Sequence, residues 1–246
     1  MKTNTAMKLS KTRIDKSGLA LAKAKYKDEV DFIELEEVFD EYRKNHLKPL
    51  SETTLEIQRM LSNFGTDYYI AQRLKRKPQI IKKLNRLSVR LTQLQDIGGS
   101  RIIVPKNNDV DTIFSFLSNK SKFGAGFSVE KITDYREKGR DDTGYRSLHV
   151  IMERDGVNLE LQIRSRIQHY WAESIERTSV VYGHHLKEKE GAPEVIEYFR
   201  HLSDVFYEIE SGRVNRPSPG RRFAALNSGM HRRRHEQQAV SGRVQG

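Results

Sequence analysis

The stretch Leu159–Arg164 alternates apolar and polar residues. In an extended strand this sends Leu159, Leu161 and Ile163 to one face and Glu160, Gln162 and Arg164 to the other, each about 7 Å from the next. A carboxylate, an amide and a guanidinium in a row suit a metal ion, a sugar hydroxyl and a phosphate. The same alternation also describes an ordinary solvent-facing strand. Asp96 stands just ahead of Gly98, Gly99 and an apolar run. A carboxylate there suits magnesium, which takes one or two carboxylates plus phosphate oxygens. Alone it reads equally as a turn cap; together with Glu160 it makes a minimal two-carboxylate set for moving a phosphoryl group. Arg73, Lys75, Lys83 and Arg86 carry the charge to hold a triphosphate, or form a solvated cationic helix face. No GxxxxGK[ST] loop occurs, so side chains must hold any nucleotide. Tyr145 stands at a loop–strand junction where its ring is placed to stack on a base. Ser147 and His149 alternate with Leu148 and Val150 and so line a pocket above the sheet, unless His149 is a hydrogen-bonded structural histidine.

The elements that position these residues follow from periodicity. A weak helical patch lies at Leu19–Ala24. Phe32, Leu35, Phe39 and Tyr42 share one face of a helix ending near His46. Ser51 is placed to cap a second helix to about Asn63, with Leu55, Met60 and Leu61 apolar. A third helix starts at Pro78 and buries Ile80, Ile81, Leu84 and Leu87. Then come a strand at Arg101–Val104, a helix at Asp109–Ser118 and a strand at Phe127–Tyr135. Strands at Arg146–Glu153 and Asn158–Arg164 join through Asp155 and Gly156, a hairpin signal. Helices at Ile167–Val181 and Pro193–Ile209 follow, the last with Val195, Phe199, Leu202, Phe206 and Ile209 on one face. Helices first, then a helix-flanked sheet of at least four strands, predict one α+β domain.

The chain has 246 residues and no cysteine, which excludes a disulfide framework, thiolate zinc and a cysteine nucleophile. Its longest apolar runs are too short for a bilayer span or a signal-peptide core, so a soluble, cytoplasmic protein is expected. Residues 213–246 hold eight arginines against one acid, Glu236, and thus +7 of the total net charge of +11. That composition predicts a disordered tail whose Arg232–Arg234 cluster either binds RNA, DNA or an acidic protein surface or is simply solvated. The expected boundaries are a helical leader over 1–50, a core over 51–212 and the tail over 213–246.

Several stretches resemble the RelA/SpoT-type small alarmone synthetase family: Arg73 and Lys75 with Ile80, Ile81 and Lys83; Asp96–Val104; Asp134 and Tyr135; Gly144–His149; and Leu159–Arg164 with His169–Glu173. The resemblance spans roughly residues 10–210. It implies a polymerase-β-like nucleotidyltransferase fold and transfer of the β,γ-pyrophosphate of ATP to the 3′-hydroxyl of GDP or GTP, with Mg²⁺, to give (p)ppGpp. Carried over by motif, Asp96 binds Mg²⁺, and Glu160 binds metal or serves as base. Arg73, Lys75, Lys83 and Arg101 hold ATP. Tyr145 stacks on the acceptor guanine, His149 and Gln162 steady the acceptor, and Arg164 orients the strand or touches phosphate. The loop before Gly144 departs from the family: Arg140, Asp141, Asp142 and Thr143 stand where Lys-Pro-Asn-like residues are usual. Some small members are toxins that pyrophosphorylate the 3′ CCA end of tRNA, and the tail suits RNA, so that acceptor is the alternative. A non-catalytic nucleotide- or RNA-binding regulator is a third reading. The expected partners are ATP, a GDP, GTP or tRNA acceptor, an RNA or acidic partner for the tail, and a second copy of the chain.

Overall fold

The computed structural model describes residues 9–121, 126–140 and 143–213. The chain divides into two compact units, Met1–Tyr207 and Glu208–Gly246. In the second, the described residues end at Arg213, whose guanidinium lies 3.8 Å from Glu208. The expectations for the tail beyond Arg213 fall outside the described residues.

Three helices open the first unit. α1 (Lys11–Lys23) is capped by Ser10, whose hydroxyl accepts from the Arg13 amide. α2 (Glu29–Lys44) is capped by Asp28, which accepts from the Asp31 amide at 2.9 Å. Acidic Glu29 and Asp31 in its first turn and basic Arg43 and Lys44 in its last complement the helix dipole. α3 spans Leu47–Leu61 and runs unbroken through residues 50 and 51. Ser51 is therefore inside α3 and does not cap it; its hydroxyl accepts from Gln72 instead. Pro49 is accommodated because it falls in the first turn, where no intrahelical partner is lost. The inward face of α3 is Leu50, Thr54, Ile57 and Leu61, whereas the apolar Leu55 is exposed.

A five-stranded mixed sheet follows, in the order β1-β2-β5-β4-β3. Its strands are β1 (Tyr69–Leu74), β2 (Gly98–Val104), β3 (Ser128–Asp134), β4 (Leu148–Arg154) and β5 (Val157–Ser165). β2 and β5 are parallel and every other pair is antiparallel. The expected β4–β5 turn forms, with Asp155 and Gly156 both at positive φ. The edge strand β1 carries no clean alternation, its residues being half-exposed, and periodicity does not predict it. α4 (Lys77–Leu87) carries its proline in the first turn and buries Ile80 and Leu84, but Leu87 is 47% exposed. α5 (Asn107–Ser121), α6 (Arg166–Tyr182) and α7 (Pro193–Glu210) complete the helices.

Leu159, Leu161 and Ile163 pack with Leu50, Ile57, Val110 and Ile113 in one core, beneath α3 and α5. The polar residues of β5 therefore face the other side. There Trp171, Ile175, Leu186, Val195 and Phe199 form a smaller core around Tyr145. α1, α2 and α4 share a third core with Ile97. Among the described residues no helix is long and apolar enough to cross a membrane.

Candidate active site

The site grows from the parallel pair β2–β5. In register, Gly99 faces Glu160 and Arg101 faces Gln162. A Cβ on Gly98 would lie 2.8 Å from Leu159 Cδ2, and one on Gly99 would lie 3.3 Å from the Glu160 carbonyl oxygen. The two glycines thus let the chain approach itself, and both sit in the strand rather than in a phosphate-binding turn.

At the entrance to β2, Asp96 Oδ2 accepts from Lys75 Nζ at 2.6 Å and Lys83 Nζ at 2.7 Å. Lys75 is set by its own amide donating to the Ile97 carbonyl and by Arg43 Nε donating to the Lys75 carbonyl. Lys83 comes from α4. Burial opposes ionisation of Asp96, but the two ammonium groups outweigh it and hold the carboxyl below its usual range. Burial also lowers the Lys75 ammonium, despite Asp96. Asp96 Oδ1 is buried and has no hydrogen-bond partner among the described residues. Both lysines bond Oδ2, which leaves Oδ1 of an ionised carboxylate as the oxygen open to a hard cation.

Further along the face a closed ring of hydrogen bonds forms. Arg164 Nη2 donates to Tyr145 Oη and to Gln162 Oε1. Gln162 Nε2 donates to Glu160 Oε2 at 2.6 Å. His149 Nδ1 lies 2.9 Å from Glu160 Oε1, and its Nε2 lies 2.8 Å from Tyr145 Oη. With the carboxylate accepting on both sides, His149 Nδ1 and Gln162 Nε2 are its two donors. Burial and the charge of Asp96 push Glu160 up, yet His149 and Gln162 hold it below the usual carboxylate range. Glu160 is thus an ionised acceptor whose basicity is low.

Between these groups lie the cations. Burial, Arg164 and Arg73 all lower Arg101, which reaches His169 Nδ1 at 3.5 Å. Arg73 stands on β1 opposite Gly99. The Tyr145 residue is only 4% exposed, and Arg140, Arg164 and Lys187 stand over its ring at 4.8, 4.9 and 5.5 Å from the centroid. Trp171 meets the same ring edge-on at 6.3 Å. Gly144, at φ 78°, sets the tyrosine: a Cβ there would lie 2.9 Å from Ser203.

Arg73, Lys75, Lys83, Asp96, Arg101, Tyr145, His149, Glu160, Gln162 and Arg164 lie on this one face or its rim; Ser147 is buried beneath it against Arg164, and Arg86 is exposed on α4. Glu176 and Lys187 were missed. Glu176 has a weak signal, since His169, Glu173 and Glu176 recur at steps of four and three along α6. Lys187 has none, because it lies on a short 3-10 turn, Leu186–Glu188. Asp141 and Asp142 of the departing loop lie outside the described residues.

The fold is thus a five-stranded mixed sheet flanked by helices, with two ionised carboxylates and a rim of basic side chains on one face. Residues 72–187 match the family model described as the region found in RelA / SpoT proteins. Among solved structures it resembles a GTP pyrophosphokinase family protein from Streptococcus pneumoniae, at 18% identity and TM-score 0.59, covering 71% of this chain and 90% of that one. It also resembles small alarmone synthetase 1 from Bacillus subtilis bound to its product pppGpp, at 19% and 0.55, covering 70% and 90%. Small alarmone synthetase 2 from Bacillus subtilis aligns at 20% and 0.55, covering 70% and 92%. At these identities the likeness is one of fold. No curated protein matches the sequence.

Proposed function

We propose that this protein transfers the β,γ-pyrophosphate of ATP to the 3′-hydroxyl of GDP or GTP, making (p)ppGpp. The observation that carries the reading is the bare Asp96 Oδ1 beside ionised Glu160, on one face with Tyr145. The match of residues 72–187 to the region found in RelA / SpoT proteins supports the reaction type.

Asp96 and Glu160 would hold Mg²⁺, which when bound neutralises charge on the donor phosphates. Arg73, Lys75, Lys83 and Arg101 line the donor side. Lys75 and Lys83 hold Asp96 ionised while adding positive charge beside it. Tyr145, His149 and Gln162 line the acceptor side, with the hydrogen-bonded ring fixing their directions. The acceptor O3′ forms a bond to the β-phosphorus as the β-phosphorus–oxygen bond to AMP breaks. Glu160, a weak base, receives the hydrogen bond of the 3′-hydroxyl, whose proton passes on to solvent. Positioning and charge neutralisation supply most of the acceleration in such transfers.

The +7 of residues 213–246 favours one second reading, transfer to the 3′ end of tRNA. Offering GDP, GTP and deacylated tRNA separately with γ-labelled ATP decides between them. A binding-only regulator would label none of the three.

A further inference from the structure

Three cations are gathered beside Tyr145 with little to balance them. Arg164 is 2% exposed and its hydrogen-bond partners, Tyr145, Gln162 and Ser147, are all neutral. Its Nη1 is buried with no partner among the described residues. Among the described residues Arg101 hydrogen-bonds only the ring of His169, and its Nε is likewise buried and unpartnered. Lys187, its side chain 18% exposed, donates to Glu176 Oε1 at 2.5 Å. The Glu176 side chain is 55% exposed, so the counter-charge lies toward solvent while the cations lie inside. Burial pushes Lys187 down to about 8, with Arg164 and Arg101 opposing its charge and Glu176 favouring it. Buried charge is costly unless paired and hydrogen-bonded. Two bare guanidinium N–H groups and a strained ammonium are the complement of an anion with several oxygens.

We propose that Lys187 is a further substrate-binding residue, completing with Arg101 and Arg164 a subsite for a diphosphate group of a bound nucleotide. The proposal rests on reading this face as a nucleotide site. The diphosphate belongs either to the donor or to the acceptor, since Arg101 lies toward one and Tyr145 toward the other. Glu176 holds the ammonium until the phosphate replaces it.

The test is binding, followed by calorimetry or by the fluorescence of Trp171, the one tryptophan, whose ring abuts Tyr145. Inorganic pyrophosphate, GDP and a non-hydrolysable ATP analogue are titrated, with guanosine and adenosine as phosphate-free controls. Lys187→Met is expected to weaken pyrophosphate and at least one nucleotide by about tenfold, the loss of one charge-assisted hydrogen bond. The nucleosides should be unmoved, and Lys187→Arg should retain binding. Whichever nucleotide weakens is the source of the diphosphate. The proposal is overturned if wild type does not bind pyrophosphate, if Lys187→Met binds every phosphorylated ligand as wild type does, if the nucleosides weaken equally, or if Lys187→Arg is as poor as Lys187→Met. Pyrophosphate binding that depends on Lys187, in a protein that transfers nothing to GDP or GTP, would uphold the subsite and remove the synthetase reading.

Discussion

Asp96 and Glu160 are both held ionised, but by different means. Two lysines hold Asp96, and a histidine and an amide hold Glu160. Asp96→Asn should therefore abolish transfer by removing a charge, and Glu160→Gln should do so by turning an acceptor into a donor that faces Gln162. Both variants should keep a native far-UV circular dichroism spectrum; unchanged turnover in both would mean that the chemistry lies elsewhere. Asp96 also links stability to pH. Its folded pKa lies below the usual 3.8, so its contribution is present above that value and is lost as pH falls through the folded pKa. Urea denaturation from about pH 6 to pH 3 should show a steeper loss in wild type than in Asp96→Asn. Tyr145→Phe keeps the ring but deprives Arg164 and His149 of a partner, at a cost of about 1–3 kcal/mol in unfolding free energy. An unfolding curve identical to wild type would show that the ring of hydrogen bonds contributes nothing.

At the scale of elements, the strand β2 works because it has no side chain at two positions. Gly98→Ala drives a methyl into Leu159, a fully buried core residue, and should cost about 1–3 kcal/mol by overpacking. Thermal melts check this, and an unshifted midpoint would contradict it. The β5 face was legible in the sequence because its alternation is strict and its two sides differ in chemistry. The hairpin at Asp155–Gly156 was legible for a similar reason, since the turn demands positive φ at both residues. β1 was not, because an edge strand paired on one side need not bury either face fully. Nor was the start of α3, where Ser51 looks like a cap while Leu47–Leu50 already form the first turn. Tyr145 was expected to offer its ring to a base. Its burial under three cations could not be read from Gly144–His149 alone, because Arg140, Arg164 and Lys187 arrive from three separate parts of the chain.

At the scale of the whole molecule, charge is divided. The unit holding the site uses its cations locally, against Asp96, Glu176 and Tyr145. Most of the net positive charge lies past residue 213. Removing residues 214–246 should leave transfer to GDP within about twofold and reduce retention on RNA at low salt, since phosphate binding follows the count of released counterions. Loss of transfer to GDP on truncation would instead tie those residues to the reaction. The most direct test of the central claim supplies purified protein with Mg²⁺ and γ-labelled ATP, and offers GDP, GTP and deacylated tRNA separately. The account predicts label in guanosine tetra- or pentaphosphate, absent with Asp96→Asn and Glu160→Gln. Label on tRNA alone, or on no acceptor at all, would contradict it.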